Sequence, residues 1–151
     1  MAINRRELVL RQTSPCGDQR PRCGEWVYFR LEFCERPVGH GGYYGRSRDV
    51  AELAGSIYLE WRGRGLAADA LTTVARRAIA DGSYTTLLVP IRATDDVARK
   101  VLDKVGFYAL YDEVGLSAST SRAFHHVTYA IDSERLLQSV VAGAGGAAAL
   151  A

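Results

Sequence analysis

Cysteine is scarce in this chain. Cys16, Cys23 and Cys34 make an odd three with no C-x-x-C pair, which argues against a disulfide framework and a zinc knuckle and predicts reduced, buried thiols. Net charge is nearly absent too: 19 basic against 17 acidic side chains leave +2, so nothing global calls for a nucleic acid or a membrane as partner. Long apolar runs are missing. No stretch is long enough to span a bilayer, and no apolar segment follows the early arginines as a secretory signal would require. The expected location is the cytoplasm. No internal repeat is present, and His125 and His126 are strand neighbours that point to opposite faces, so they cannot chelate one metal together. No metal is expected.

What is present is a core-forming composition, 48% hydrophobic over 151 residues, enough for one domain. We assign it to residues 1–141, with an irregular part at 1–24 and a flexible Ala/Gly tail at 142–151. Arg5, Arg6, Arg11, Arg20 and Arg22 mark the first part as a solvated arm. Alternating or continuous apolar patterns predict strands at Glu7–Gln12, Glu25–Phe33, Ala51–Leu59, Tyr84–Ile91, Phe107–Val114 and Ala123–Ile131. Pro37 and the glycines of Glu35–Gly45 predict a turn, with at most a short strand at Gly42–Gly45. Helical spacing runs from Leu66 to a Gly82 cap, then from a Thr94 cap to Gly106; a short helix is expected from Ser133 through Val140.

The segment richest in chemistry is Arg62-Gly63-Arg64-Gly65-Leu66-Ala67, where a strand gives way to a helix. The first N–H groups of a helix lack intrahelical partners and sit at its positive dipole end, which suits a phosphate. Glycines at 63 and 65 let backbone approach such a group. An Arg/Gly turn alone is usually only a turn; the order strand, Gly-rich turn, amphipathic helix, strand is what gives it weight. Arg62 and Arg64 lack the interleaved aromatic platforms of an RNA-binding patch.

These parts resemble the GNAT superfamily of acyl-CoA-dependent N-acyltransferases. Arg62, Gly65 and Ala67 fill the three specified positions of its central signature, and Ala98 with Gly106-Phe107 fills its second. The resemblance covers residues 51–114, and residues 123–131 are similar to the family's closing strand. It implies an α/β (α+β) fold with a mixed, mostly antiparallel sheet of about six to seven strands flanked by helices. It further implies acetyl-CoA or another acyl-CoA as co-substrate, its pyrophosphate over Gly63, Arg64, Gly65, Leu66 and Ala67 beside Arg62, its pantetheine along Ile57, Tyr58 and Leu59, with Asp95 and Ala98 nearby. Two middle strands should splay apart to admit it. Three departures stand out. The two helices usual between the first and second strands have no room, so the N-terminal part is shortened. Asp95 stands where many members have Asn, and Leu102 where a proton-donating Tyr is frequent.

Attack of an amine on a thioester needs a proton acceptor, and the departing thiolate gains from a donor. Glu52, within the apolar strand Val50-Ala51-Glu52-Leu53-Ala54, is the candidate base; the alternative is a glutamate on a solvent face. A bulge in that strand would re-aim it. Tyr108 is the candidate acid; Tyr111, an odd step away, should face oppositely. A loop at His40, with Tyr43 and Tyr44, would border the acceptor site. The reading is an N-acetyltransferase acting by direct attack on a small-molecule or peptide amine, with room for a homodimer. Its rival is a catalytically idle relative that keeps the CoA cleft as a sensor or assembly surface.

Overall fold

The computed structural model describes residues 7–13 and 24–139. Cys16, Cys23, most of the arginine-rich first part and the Ala/Gly tail lie outside the described residues. Seven strands form one sheet in the order β1-β2-β3-β4-β5-β7-β6. They are β1 (Leu8–Gln12), β2 (Trp26–Phe33), β3 (Arg36–Gly45), β4 (Val50–Ile57), β5 (Thr86–Arg92), β6 (Tyr108–Leu116) and β7 (Ala123–Asp132). Helix α1 (Leu66–Gly82) joins β4 to β5, and α2 (Asp96–Val105) joins β5 to β6. Residues 133–139 are helical. Every neighbouring pair is antiparallel except β4 with β5, so the sheet is mixed and mostly antiparallel.

One face of the sheet is packed. α1 buries Leu66, Ala70, Val74, Ala75 and Ala78, a stripe at helical spacing, against Phe29, Tyr43, Leu53, Leu87 and Ile131, all at most 2% exposed. Tyr43 belongs to this buried side. Its hydroxyl donates to Asp81 Oδ2 at 2.7 Å, and Arg77 Nε donates to both oxygens of that carboxylate, at 2.9 and 3.0 Å. Burial, and then the Asp81 carboxylate, hold the Tyr43 phenol above its ordinary value. Tyr43 therefore cannot form the rim expected of it.

The largest correction is β3, ten residues of strand where a turn was expected. Its glycines serve close approach: a Cβ on Gly39 would fall 2.2 Å from the Ser56 carbonyl oxygen, and one on Gly42 would fall 2.5 Å from that of Val27. Turn composition was thus overridden by pairing on both sides, to β2 and β4. His40 consequently lies on a strand. Smaller differences concern ends. β4 stops at Ile57 and a single 3-10 turn, Leu59–Trp61, follows. Gly82 is the last residue of α1 and Ser83, at φ 53°, is the cap. Asp95 rather than Thr94 caps α2. Cys34 is exposed, not buried, because the β2–β3 hairpin turns there with Cys34 and Glu35 both at positive φ.

Candidate active site

β4 and β5 are bridged over only three residue pairs, Val50↔Thr86, Ala51↔Leu87 and Glu52↔Leu88. Beyond Glu52 the strands diverge, while β4 keeps its pairing to β3 as far as Ile57 and β5 its pairing to β7 as far as Arg92. A gap therefore opens in the middle of the sheet, its edges the unbridged backbone of Leu53–Ile57 and Val89–Arg92. Ala54 and Gly55 are exposed in the fourth of seven strands, a position otherwise expected to be buried.

The mouth of α1 stands at the wide end of this gap, since β4 runs toward it and the 3-10 turn leads directly into it. Gly63 and Gly65 have φ of 76° and 75°, the left-handed region that glycine adopts without steric cost. A Cβ on either would meet nothing within 4 Å, so the space before the helix is clear. Gly65 is the N-cap and makes no side-chain cap. No described residue accepts a hydrogen bond from the backbone N–H of Gly63, Arg64, Gly65, Leu66 or Ala67. Arg62 Nε donates to the Ile57 carbonyl at 2.9 Å, pinning the turn to the end of β4. The Arg64 guanidinium lies 4.7 Å over the Trp61 ring, a cation–π contact that keeps it beside the mouth. Ile57 and Leu66 are buried; Tyr58 and Leu59 are exposed, Leu59 strongly.

The mouth of α2, at the end of β5, differs. Asp95 Oδ1 accepts from the Ala98 N–H at 3.0 Å, so these two expected ligand contacts satisfy each other. Leu102 is 2% exposed in the core, remote in chemistry from any proton donor.

Cross-strand register places the remaining candidates. Trp26, Tyr44, Glu52, Leu88, Ala130 and Tyr108 share one row on the face opposite α1. Glu52 is thus on the last bridged row, and β4 is regular there, without a bulge. It is no simple solvent-facing glutamate: its side chain is 23% exposed and Arg46 Nε lies 3.5 Å from its Oε2. Tyr108 is three strands away, about 14 Å at ordinary strand spacing. The bulge sits instead in β6, between Ala109 and Tyr111. One extra residue restores the facing, so Tyr108, opposite Ala130, and Tyr111, opposite Thr128, point to the same side. Their expected opposition is overturned for that reason. Tyr111 lies beside Arg46, and its hydroxyl is the foremost influence that holds the guanidinium above its ordinary value. Arg46 was missed in the sequence because nothing local distinguishes it from the other arginines. His125 lies 3.4 Å from Asp112 Oδ2, and His126 stacks on Phe124 at 5.2 Å; neither reaches the gap through a described contact. A shallow depression lined by Leu10, Thr73, Arg76 and Arg77 lies between β1 and α1, away from the diverging strands. No helix of the described residues is long and apolar enough to cross a membrane.

No protein-family model and no curated protein sequence matches the chain. Solved structures do. The spermidine/spermine N-acetyltransferase SpeG of Vibrio cholerae, in complex with manganese ions, superposes with a TM-score of 0.73 at 12% identity, over 88% of this chain and 96% of that one. The spermidine N-acetyltransferase of the same organism in complex with CoA and spermine gives 0.67 at 15% identity, over 74% of this chain and 68% of that one. A GNAT-family acetyltransferase of Bacillus anthracis gives 0.65 at 14% identity, over 71% and 66%. The chain thus spans about two thirds of the length of the last two. It has the fold of the GNAT acetyltransferases, and residues 13–25 connect β1 to β2.

Proposed function

We propose that the chain is an acyl-CoA-dependent N-acyltransferase that transfers an acetyl or related acyl group to a small-molecule or peptide amine. The observation that carries this reading is the uncapped, unobstructed mouth of α1 at the wide end of the β4–β5 gap. There the N–H groups of Gly63 to Ala67 and the helix dipole would receive the diphosphate. Arg62 and Arg64 add positive charge. The unbridged edge from Leu53 to Ile57 would accompany the pantetheine arm, its free amide and carbonyl groups pairing with those of the ligand. A strand N–H at the thioester carbonyl would stabilise charge developing on its oxygen.

In the reaction the amine nitrogen bonds to the thioester carbonyl carbon and the carbon–sulfur bond breaks. The surplus amine proton passes to Glu52 directly or through water, and the departing thiolate takes up a proton. Glu52 is suited by its place on the last bridged row, and Arg46 fixes its orientation. Of the two tyrosines, Tyr111 is the better placed donor, because Arg46 links it to Glu52, whereas Tyr108, three strands away on the row of Glu52, has no described contact that links it to that carboxylate. The cytoplasmic location expected from composition belongs to this reading. Leu102, buried in place of a proton donor, favours the second reading, a cleft that binds CoA without turnover.

One experiment separates them. Acetyl-CoA should raise the melting temperature, as any ligand preferring the native state must, and thiol should be released on addition of an amine panel. Binding without thiol release would select the idle cleft; no binding would remove both.

A further inference from the structure

The open face of the sheet beside the strand divergence carries a ring surface that the acyl-donor cleft does not use. Trp26 and Tyr28, two apart on β2, point the same way and stack at 5.7 Å with 15° between their planes. Tyr44, opposite Trp26, lies 5.3 Å from it. Tyr28 is 50% exposed. Its ring leans over β3, where Gly42 leaves room: a Cβ there would lie 3.4 Å from Tyr28 Cδ1. Next along that row comes Ala54 of β4, small and exposed. Gly42 is buried with the Tyr28 ring seated over it, so Ala54 floors a trough whose wall is that ring, Trp26 and Tyr44 closing one end and His40 and Ser56, one row further, at the other. The trough opens on its remaining side to the β4–β5 gap. Glu52 projects from the same face two residues before Ala54.

We propose that this trough is the acceptor subsite of the proposed acyltransferase, and that it selects an amine carrying a planar aromatic ring on a short arm. The inference rests on the transferase reading for its location but names what that reading leaves open. Half-exposed aromatic side chains favour offset or edge-on contact with another ring over equally apolar non-planar groups. The two-residue step along β4 from Ala54 to Glu52 is about 7 Å. That suits a ring and an ammonium separated by a two-carbon arm, the ring over Ala54 against Tyr28 and the nitrogen at the carboxylate beside the point of divergence. A long, multiply charged aliphatic amine finds one carboxylate, Glu52, on the described rows that bound the trough. Arg46 and, along the next row, Arg30 and His40 oppose further positive charge.

The test compares 2-phenylethylamine, 2-cyclohexylethylamine, n-hexylamine and spermidine by thiol release from acetyl-CoA, and by quenching of tryptophan emission with CoA bound. The expected result is about a tenfold higher kcat/KM for the planar ring than for its saturated counterpart. Tyr28→Ala should erase that ratio and Tyr28→Phe keep it, while the folded state persists because the ring is half exposed. Turnover of the alkyl amines or spermidine with no preference for the planar ring overturns the subsite and leaves the transferase standing. Ring-selective quenching without thiol release supports the subsite and removes the transferase. Neither binding nor turnover removes both. If Tyr28→Ala instead converts a dimer to a monomer in sedimentation and leaves selectivity unchanged, the face is a contact between copies and the proposal fails.

Discussion

The two helices that follow the diverging strands begin in opposite ways. α2 starts with Asp95, whose carboxylate accepts from the Ala98 N–H, and α1 starts with Gly65, which has no side chain to offer. Both starts sit at the same end of a parallel strand pair, so neither burial nor topology requires the difference. A helix start costs stability when its N–H groups go unanswered, and capping commonly recovers about 1 kcal/mol. α2 takes that stabilisation. α1 forgoes it, and adds two residues in a conformation that other side chains resist. On the proposed function, α1 is the end kept available for an outside acceptor of hydrogen bonds, and α2 is an end closed on itself.

The most severe way to break this contrast is Gly65→Val. A β-branched residue at φ 75° is strained even where space is open, so the turn must rearrange. Loss of the several charge-assisted hydrogen bonds proposed there should lower CoA affinity roughly a hundredfold or more, read by calorimetry, with cooperative unfolding retained. Unchanged affinity would mean that the diphosphate does not sit at this mouth.

A sharper comparison is Gly65→Asp against Gly65→Asn. Both side chains tolerate the left-handed region and differ by one charge. The aspartate should bind CoA about tenfold more weakly than the asparagine at low salt, with the gap narrowing as salt screens the repulsion. Equal affinities would show that no anion approaches.

Opening the other helix should do less. Asp95→Ala is expected to cost about 1 kcal/mol of stability in thermal or denaturant unfolding, and to leave CoA affinity near that of the parent. A large loss of affinity would assign Asp95 to the ligand rather than to the cap.

The smallest effect is a remote control on β2. Glu32 is held between Arg11 and Arg30, and hydrogen bonding from Arg11, foremost, keeps its carboxyl below the usual carboxylate range. A depressed value means the ion pairs contribute above the ordinary carboxylate titration and lose that contribution as pH falls through the lowered one. Glu32→Gln should therefore be slightly less stable than the parent near neutrality, the two converging in acid. It should not change CoA affinity at any pH.

Much of this was legible along the chain because its signals were local. The helical stripe from Leu66, the apolar run at Leu87 and Leu88, and the glycines at 63 and 65 each act within a few residues. Such patterns predicted both long helices and six of the seven strands. β3 escaped because its glycines obey a demand set by Ser56 and Val27, residues on other strands. Tyr111 was misdirected because a bulge is an agreement between two strands, and counting residues along one of them cannot find it. Tyr43 has the local signature of a rim residue, but α1 lies over it, with Asp81 to receive its hydroxyl.

By itself the sequence determined the order of both long helices and six of the strands, and the glycine turn that opens α1, since helix periodicity and left-handed glycine are properties of neighbouring residues. Only the tertiary structure decided where β4 parts from β5, which face carries Glu52, Tyr28 and Tyr111 together, and that Arg46 ties two of them. Those outcomes depend on register and on contacts between residues distant along the chain, where many pairings satisfy the same local pattern and packing selects among them.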